Sequence, residues 1–444
     1  MNTPICDFVK NYINSQTERM HMPGHKGMPL LGCEPFDITE ISGADSLYEA
    51  DGIIAESERN ASRLFGTKAT FYSAEGSSLC IRAMIFLALR YAKINGKKPL
   101  IAAGRNAHKT FVTAAALLDF DIEWLPSAEN SGYLSCSIDF CAAERIIAEK
   151  SPSALYITSP DYLGNTADLK KISALCKKYG VLLIVDNAHG AYLKFLPESR
   201  HPIDSGADLC CDSAHKTLPV LTGGAYLHIS ESAPDFFVDE ARNALSVFGS
   251  TSPSYLIMQS LDAANAYIAN GYAQKLAEFI PKVSELKEKL ASIGYSLCGD
   301  EALKITVMPK SYGYTGNALA DELREKGIEC EFSDPDYIVF MLSPERGEEG
   351  INKLFEALSG IAKKTEIPEK PPVSFIPERV MSVREAVFSP SETVPSAMSE
   401  GRVLAALNVG CPPAVPIAVC GERIDSKATE MFKYYGIESC EVIK

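Results

Sequence analysis

The chain has 444 residues, with 43 Lys and Arg against 57 Asp and Glu, and a formal net charge of −14. Its 46% hydrophobic and 23% charged residues exclude a disordered protein. The length calls for two or three domains, and the acidic balance argues against nucleic acid as a partner, because phosphate binding needs clustered Lys and Arg.

The opening residues carry charges early and lack the apolar stretch of a signal peptide. No run of eighteen apolar residues exists, and the best candidate, Ala83 to Leu89, is closed by Arg82 and Arg90. A membrane partner is therefore not expected. The thirteen cysteines are scattered without a Cys-x-x-Cys pair, and Cys210 and Cys211 are simply adjacent. Such usage points to a reducing, cytoplasmic setting with mostly buried thiols.

In chain order, residues 1–45 hold two Pro-flanked Gly segments and little periodicity, and read as an N-terminal arm. From about residue 60 to 230, helix-like stretches such as Ser78–Ala92 and Leu169–Tyr179 alternate with short apolar runs. The runs are Pro99–Ala103, Ala154–Thr158, Val181–Val185 and Ala225–Ile229. This alternation predicts an α/β fold with a mostly parallel sheet, and the unbroken Val181–Val185 run predicts a strand buried on both faces. A further strand is expected to end near Leu209. Pro253–Phe279 reads as one long helix joining two domains. Beyond it come a helix at Val283–Ser292, a strand at Leu303–Met308, a helix at Asn317–Lys326 and a strand at Tyr337–Leu342. Lys370-Pro-Pro372 marks a linker. The expected domains are thus the arm (1–45), a large domain (46–265), a small α/β domain (266–369) and a C-terminal module (370–444).

Four segments carry candidate chemistry. Glu75-Gly-Ser-Ser78 stands before a helix expected to start near Leu79; helix N-termini with nearby hydroxyls bind phosphates, while the plain alternative is a serine N-cap. Arg105-Asn-Ala-His-Lys109 follows a strand and offers His108 either as a ring that stacks on an aromatic cofactor or as a solvated loop histidine. Ile184-Val-Asp-Asn-Ala-His189 places Asp186 at a carboxyl strand end, where α/β sheets bind ligands. An aspartate there pairs with a protonated pyridine nitrogen or merely caps a turn. Asp212-Ser-Ala-His-Lys-Thr217 surrounds one lysine with polar groups. Lys216 is a surface lysine or a Schiff-base former whose amine is activated by desolvation and a cationic neighbour such as His215. Ser213 and His215 are both able to donate to an anion.

Taken together, these segments resemble the Orn/Lys/Arg decarboxylase family, a branch of the aspartate-aminotransferase-like (fold type I) pyridoxal-phosphate enzymes. The similarity extends to His21-Met-Pro-Gly-His-Lys-Gly27, Thr158-Ser-Pro-Asp-Tyr162, Ser250-Thr-Ser-Pro-Ser-Tyr255, Arg384-Glu-Ala386 and Cys411-Pro-Pro-Ala-Val-Pro416. It implies a large cofactor domain, a small domain and a C-terminal module, without the N-terminal wing of the long members. It implies pyridoxal phosphate held by Lys216, with Asp186 on the ring nitrogen, His108 on one ring face and Ala188 on the other. Ser77, Ser78, Ser213 and His215 would bind the phosphate, and His189 belongs to the same shell. Lys216, His108 and Asp186 would be catalytic.

The implied reaction is decarboxylation of arginine, lysine or ornithine in a homodimer or higher oligomer with shared sites, Thr251 or Ser252 reaching the partner's phosphate. No metal is implied. Asp161 and Glu392 are candidates for the substrate's distal cation. The sequence departs from the family at Ser78 (usually Thr), at Pro160-Asp-Tyr162 (usually Pro-Thr-Tyr), at Asn187 (often Glu in short members), and at Cys411 and Ala414 (usually Tyr and Gly). Three rivals stand beside this: another reaction of the same cofactor, such as aminotransfer using Arg324 or Arg346; an inert relative that binds or regulates; and a metal hydrolase using His108, His189, His215 and Asp186, which lacks a His-x-x-x-His pair.

Overall fold

The computed structural model describes residues 1–407 and 415–444. Cys411 and Ala414, where the sequence departs from the family pattern, lie outside the described residues. The chain divides into two compact units, residues 1–98 with 169–274 and residues 99–168 with 275–444.

Seven strands carry the α/β architecture: β1 (Ala69–Ser73), β2 (Leu100–Gly104), β3 (Asp121–Leu125), β4 (Ala154–Thr158), β5 (Leu182–Asp186), β6 (Leu209–Asp212) and β7 (Ala225–Ile229). The first unit holds β1, β7, β6 and β5 in that order, with β5 and β6 parallel and β7 antiparallel to both its neighbours. In the second unit β2 lies between β4 and β3, all parallel. Among the described residues, within each unit only β7 runs against its neighbours, so the strands are mostly parallel, as the alternating pattern predicts.

The four apolar runs appear as strands to within a residue. Leu183, Ile184 and Val185 are fully buried, as a strand covered on both faces requires. The strand expected to end near Leu209 instead begins there: Cys210 and Cys211 are buried strand residues. Their modest hydropathy and the terminal Asp hid the strand.

The first unit includes the segment read as an arm, and part of it is helical. Residues Pro4–Asn14 form a helix that buries Ile5 and Val9. Its first N–H groups, which no helical carbonyl can satisfy, donate from Ile5 and Cys6 to Asp262 Oδ2, both at 3.0 Å. The cap comes from a residue remote in sequence, so no local signal announces the helix. The long helix expected over Pro253–Phe279 is two helices, Tyr255–Tyr267 and Ala273–Ser292. Asn270 and Gly271 depart from helical geometry between them, Gly271 with φ +98°. The second helix runs through Pro281 and takes in the separately expected Val283–Ser292 helix.

In the second unit, β8 (Ser296–Cys298), β9 (Lys304–Met308), β10 (Phe332–Ser333) and β11 (Ile338–Met341) form an antiparallel sheet in the order β10-β11-β9-β8. The last strands, β12 (Ser391–Pro395) and β13 (Ser439–Ile443), pair antiparallel. Around them Leu404, Ile417, Ile424, Phe432 and Val442 form a core. Among the described residues the cysteines are free thiols, with Cys80, Cys136, Cys176, Cys210, Cys211, Cys420 and Cys440 buried.

Candidate active site

Parallel strands deliver their carboxyl ends to one edge. In the first unit, Asp186 of β5 pairs in register with Cys211 of β6. The segments that follow, Asp186–His189 and Ser213–Thr217, therefore leave the sheet side by side. Ala214–Thr217 form a single helical turn that carries Lys216. Lys216 Nζ lies 3.0 Å from His189 Nε2. The sequence offered His215 as the neighbour of this amine. In the structure the His215 Nδ1–H donates to the Gly224 carbonyl at 3.1 Å, and the imidazole at the amine is that of His189.

The helix Gly76–Ile94 starts three residues earlier than expected, so Ser77 and Ser78 lie in its first turn. Glu75 occupies the N-cap position without a side-chain cap bond, and a serine cap is not what these residues provide. Gly76 has φ +72°, which a side chain would strain, and its N–H donates to Gly223 O at 2.7 Å. Ser213 Oγ donates to Ser77 Oγ at 2.8 Å. Two hydroxyls from separate segments thus meet at a helix N-terminus, whose N–H groups and dipole favour an anion. Glu75 also accepts the Ser250 N–H at 2.6 Å, tying the 250–255 segment to this corner; Thr251 and Ser252 are exposed.

Asp186 is buried. One carboxylate oxygen accepts from the Ala188 N–H at 3.2 Å and from the Cys211 thiol at 3.7 Å. The capping alternative is thus realised by the same residue that faces the site edge. Beneath it lies a cluster that the sequence did not announce. Asp212, fully buried, accepts from Asn187 Nδ2 at 2.7 Å, His201 Nε2 at 3.0 Å and His228 Nε2 at 3.2 Å. Burial pushes the Asp212 carboxyl up, but the His201 and His228 rings outweigh it and hold the group well below the usual carboxylate range. Burial lowers the His228 imidazole. His201, Cys210 and Asp212 have the donor types of a metal site. Burial, reinforced by Asp212, keeps Cys210 a thiol, and it donates to Asp212 at 3.7 Å. The departure at Asn187 also gains a reason: an amide donates to Asp212, where a glutamate would set a second carboxylate against it. Asp212 heads the lysine segment, which was the available clue; His201 and His228 stand in no motif.

In the second unit, His108 is the N-cap of the helix Lys109–Leu118. Its Nδ1 accepts the Thr110 N–H at 3.2 Å, which places the proton of the neutral ring on Nε2. The two carboxylates considered for the substrate's distal cation have other duties. Asp161 is buried and accepts from Cys136 N, Asn165 N and Asn165 Nδ2 at 2.9–3.0 Å. Glu392 pairs with Arg402 at 2.7 Å on the surface. Arg324 and Arg346, the arginines an aminotransferase would use, lie in exposed ion pairs with Asp321, Glu329 and Glu349.

The lysine amine, the buried aspartate at a strand end and the paired hydroxyls at a helix N-terminus fit an aldehyde cofactor that bears a pyridine nitrogen and a phosphate. They define the class as a pyridoxal-phosphate enzyme of fold type I. The chain belongs to the Orn/Lys/Arg decarboxylase family, whose major-domain model matches residues 3–309. It is 29% identical to an arginine decarboxylase of Bacillus subtilis, over 95% of this chain and 91% of that protein. It is 31% identical to an arginine decarboxylase of Halalkalibacterium halodurans, over the same shares. Its fold is similar to that of the constitutive lysine decarboxylase of E. coli, with a TM-score of 0.79, 17% identity, and 100% of this chain and 82% of that chain covered. Among the described residues no helix is long and apolar enough to cross a membrane. The protein is a pyridoxal-phosphate-dependent decarboxylase of a basic amino acid.

Proposed function

We propose that the substrate is arginine, converted to its amine and carbon dioxide by a cytoplasmic homodimer. Arginine is favoured over lysine and ornithine by the full-length similarity to two arginine decarboxylases. The dimer is favoured by the N-terminal segment, where Met20, Met22, Met28, Leu30 and Leu31 are 67–89% exposed on the single chain. Thr251 or Ser252, exposed beside the Glu75 corner, would reach the partner's phosphate.

The observation that carries the site assignment is the 3.0 Å contact of Lys216 Nζ with His189 Nε2, next to the Ser213–Ser77 pair. Pyridoxal phosphate supplies an aldehyde for amines and a ring that accepts the electrons of the breaking carboxylate bond. Lys216 would hold the cofactor through its aldehyde. Ser77, Ser78, Ser213 and His215 bind the phosphate, His215 through the nitrogen opposite the one committed to Gly224. Asp186 would keep a proton on the ring nitrogen; the Ala188 N–H bond fixes its carboxylate, and Ala188 would pack against the ring. His108, whose ring orientation is set by the Thr110 cap, would stack on the opposite face. Lys216, once free and protonated, would return a proton to the α-carbon, steered by His189.

The test is carbon dioxide release from arginine, lysine and ornithine by the wild type and by Lys216→Ala. Release from arginine that vanishes in the variant supports the proposal. Faster release from lysine or ornithine removes the substrate assignment, and an active variant removes the role of Lys216.

A further inference from the structure

His108 is not held by its own strand end alone. Three residues before it, Arg105 is buried and forms a two-pronged ion pair with Glu422, with Nη1–Oε1 3.1 Å and Nη2–Oε2 2.8 Å. Nη2 also donates to Ile417 O at 3.1 Å, Glu422 Oε2 accepts the Val419 N–H at 2.7 Å, and the guanidinium stacks over Trp124 at 4.9 Å. Burial pushes the Glu422 carboxyl up, and Arg105 offsets only part of that rise. Between them, Asn106 Nδ2 donates to Thr158 O at 3.2 Å.

At the far end of the His108-capped helix, Arg384 Nη1 donates to the carbonyls of Ala116 and Leu117, at 2.9 and 3.3 Å. These are orphan carbonyls of the last turn, where a cation is favoured. Residues 384 and 417–422 therefore grip the helix Lys109–Leu118 at both ends. A buried ion pair is weak evidence for stability, since well-packed apolar residues often serve as well. A two-pronged pair is strong in fixing direction.

We propose that Glu422 and Arg384 are positioning residues that set the angle of the His108 imidazole through this helix. The proposal rests on His108 stacking against the cofactor. Charge at Glu422 and the cap at Arg384 act on turnover by way of His108, while leaving substrate affinity nearly untouched.

The test is a double-mutant cycle in the holoenzyme with His108→Ala. Glu422→Gln and Arg384→Ala are each made in the wild-type and His108→Ala backgrounds. Steady-state kinetics and the visible circular dichroism of the bound cofactor are the readouts. Each single variant is expected to lower kcat about tenfold, with KM within twofold, and to shift the cofactor band in the direction His108→Ala shifts it. In the His108→Ala background each should lower kcat less than about twofold further. Where Glu422→Gln fails to fold, the joint change Arg105→Met and Glu422→Leu, which leaves neither charge unpaired, takes its place. A full tenfold loss in the His108→Ala background overturns the positioning role and leaves His108 stacking intact. Wild-type kinetics in the single variants does the same. A His108→Ala enzyme with wild-type turnover and spectrum overturns the stacking assignment, and the positioning role with it.

Discussion

Asp212→Asn separates a carboxylate that merely fills space from one that organises the floor of the site. Beside the weak Cys210 thiol, three nitrogen donors converge on Asp212: Asn187 Nδ2, His201 Nε2 and His228 Nε2. The His201 ring is fixed as a donor at Nε2, because its Nδ1 accepts the Ile203 N–H. An asparagine of the same shape offers one oxygen, which serves two of these donors, and turns an N–H₂ toward the third. One hydrogen bond to a charged group is lost, about 1.5–3 kcal/mol, and one buried donor is stranded, about 1–3 kcal/mol. The sum is about 2.5–6 kcal/mol, a large part of the roughly 5–15 kcal/mol that holds an ordinary domain folded. Urea unfolding of wild type and variant, followed by near-ultraviolet circular dichroism, reads the difference directly. A loss below about 1 kcal/mol with an unchanged slope would refute the reasoning, since the carboxylate's charge and second oxygen would then be dispensable.

Other outcomes follow from single features. Arg105→Met strands the buried Glu422 carboxylate and should cost about 3–5 kcal/mol, whereas Arg105→Met with Glu422→Leu should cost far less; equal costs in denaturant melts would deny that the pair is mutually neutralised. Burial outweighs Arg242 and raises Glu58 to about 7. The folded protein then binds a proton at Glu58 that the unfolded chain releases at its ordinary carboxylate pKa. That stabilisation is present at low pH and lost as pH rises through about 7. Stability measured from pH 4.5 to 7.5 should fall less steeply in Glu58→Gln, and parallel curves would contradict this. Phe111 is fully buried and stacks on Tyr156 at 4.4 Å in the helix that His108 caps. Phe111→Ala should cost about 3–5 kcal/mol in the same melts. A Cβ on Gly190 would meet Asn187 Oδ1 at 2.0 Å. Gly190→Ala should therefore lose cofactor at a lower dilution than wild type, read by ultrafiltration and absorbance, and unchanged retention would show that the Asn187–Asp212 bond is not needed there.

The α/β class was legible because parallel strands buried on both faces leave unbroken apolar runs, as at Val181–Val185. β6 escaped because its core positions are Cys210 and Cys211, whose burial is a tertiary fact. The helix Pro4–Asn14 escaped because its cap, Asp262, lies far off in the chain. The break at Asn270-Gly271 was foreseeable, since Gly prefers the left-handed turn it adopts there. In the site, the residues following β5 and β6 were legible from their motifs. What the sequence misassigned was their pairing: His189 rather than His215 meets Lys216, because strand register, not adjacency, decides which ring reaches the amine. The Asp212 cluster was hard to see for the same reason, its histidines arriving from one loop and one strand without a shared spacing. Asp161 looked available as an acid, yet its local turn consumes both of its oxygens.

The most direct measurement is reduction of the purified holoenzyme with borohydride, followed by peptide mapping of the attached pyridoxyl group. The visible absorbance of the bound cofactor should bleach, and the label should sit on Lys216 alone, with none in Lys216→Ala. A label on another lysine, or a protein that takes up no pyridoxal phosphate before reduction, would contradict the assignment of Lys216 and the site built around it.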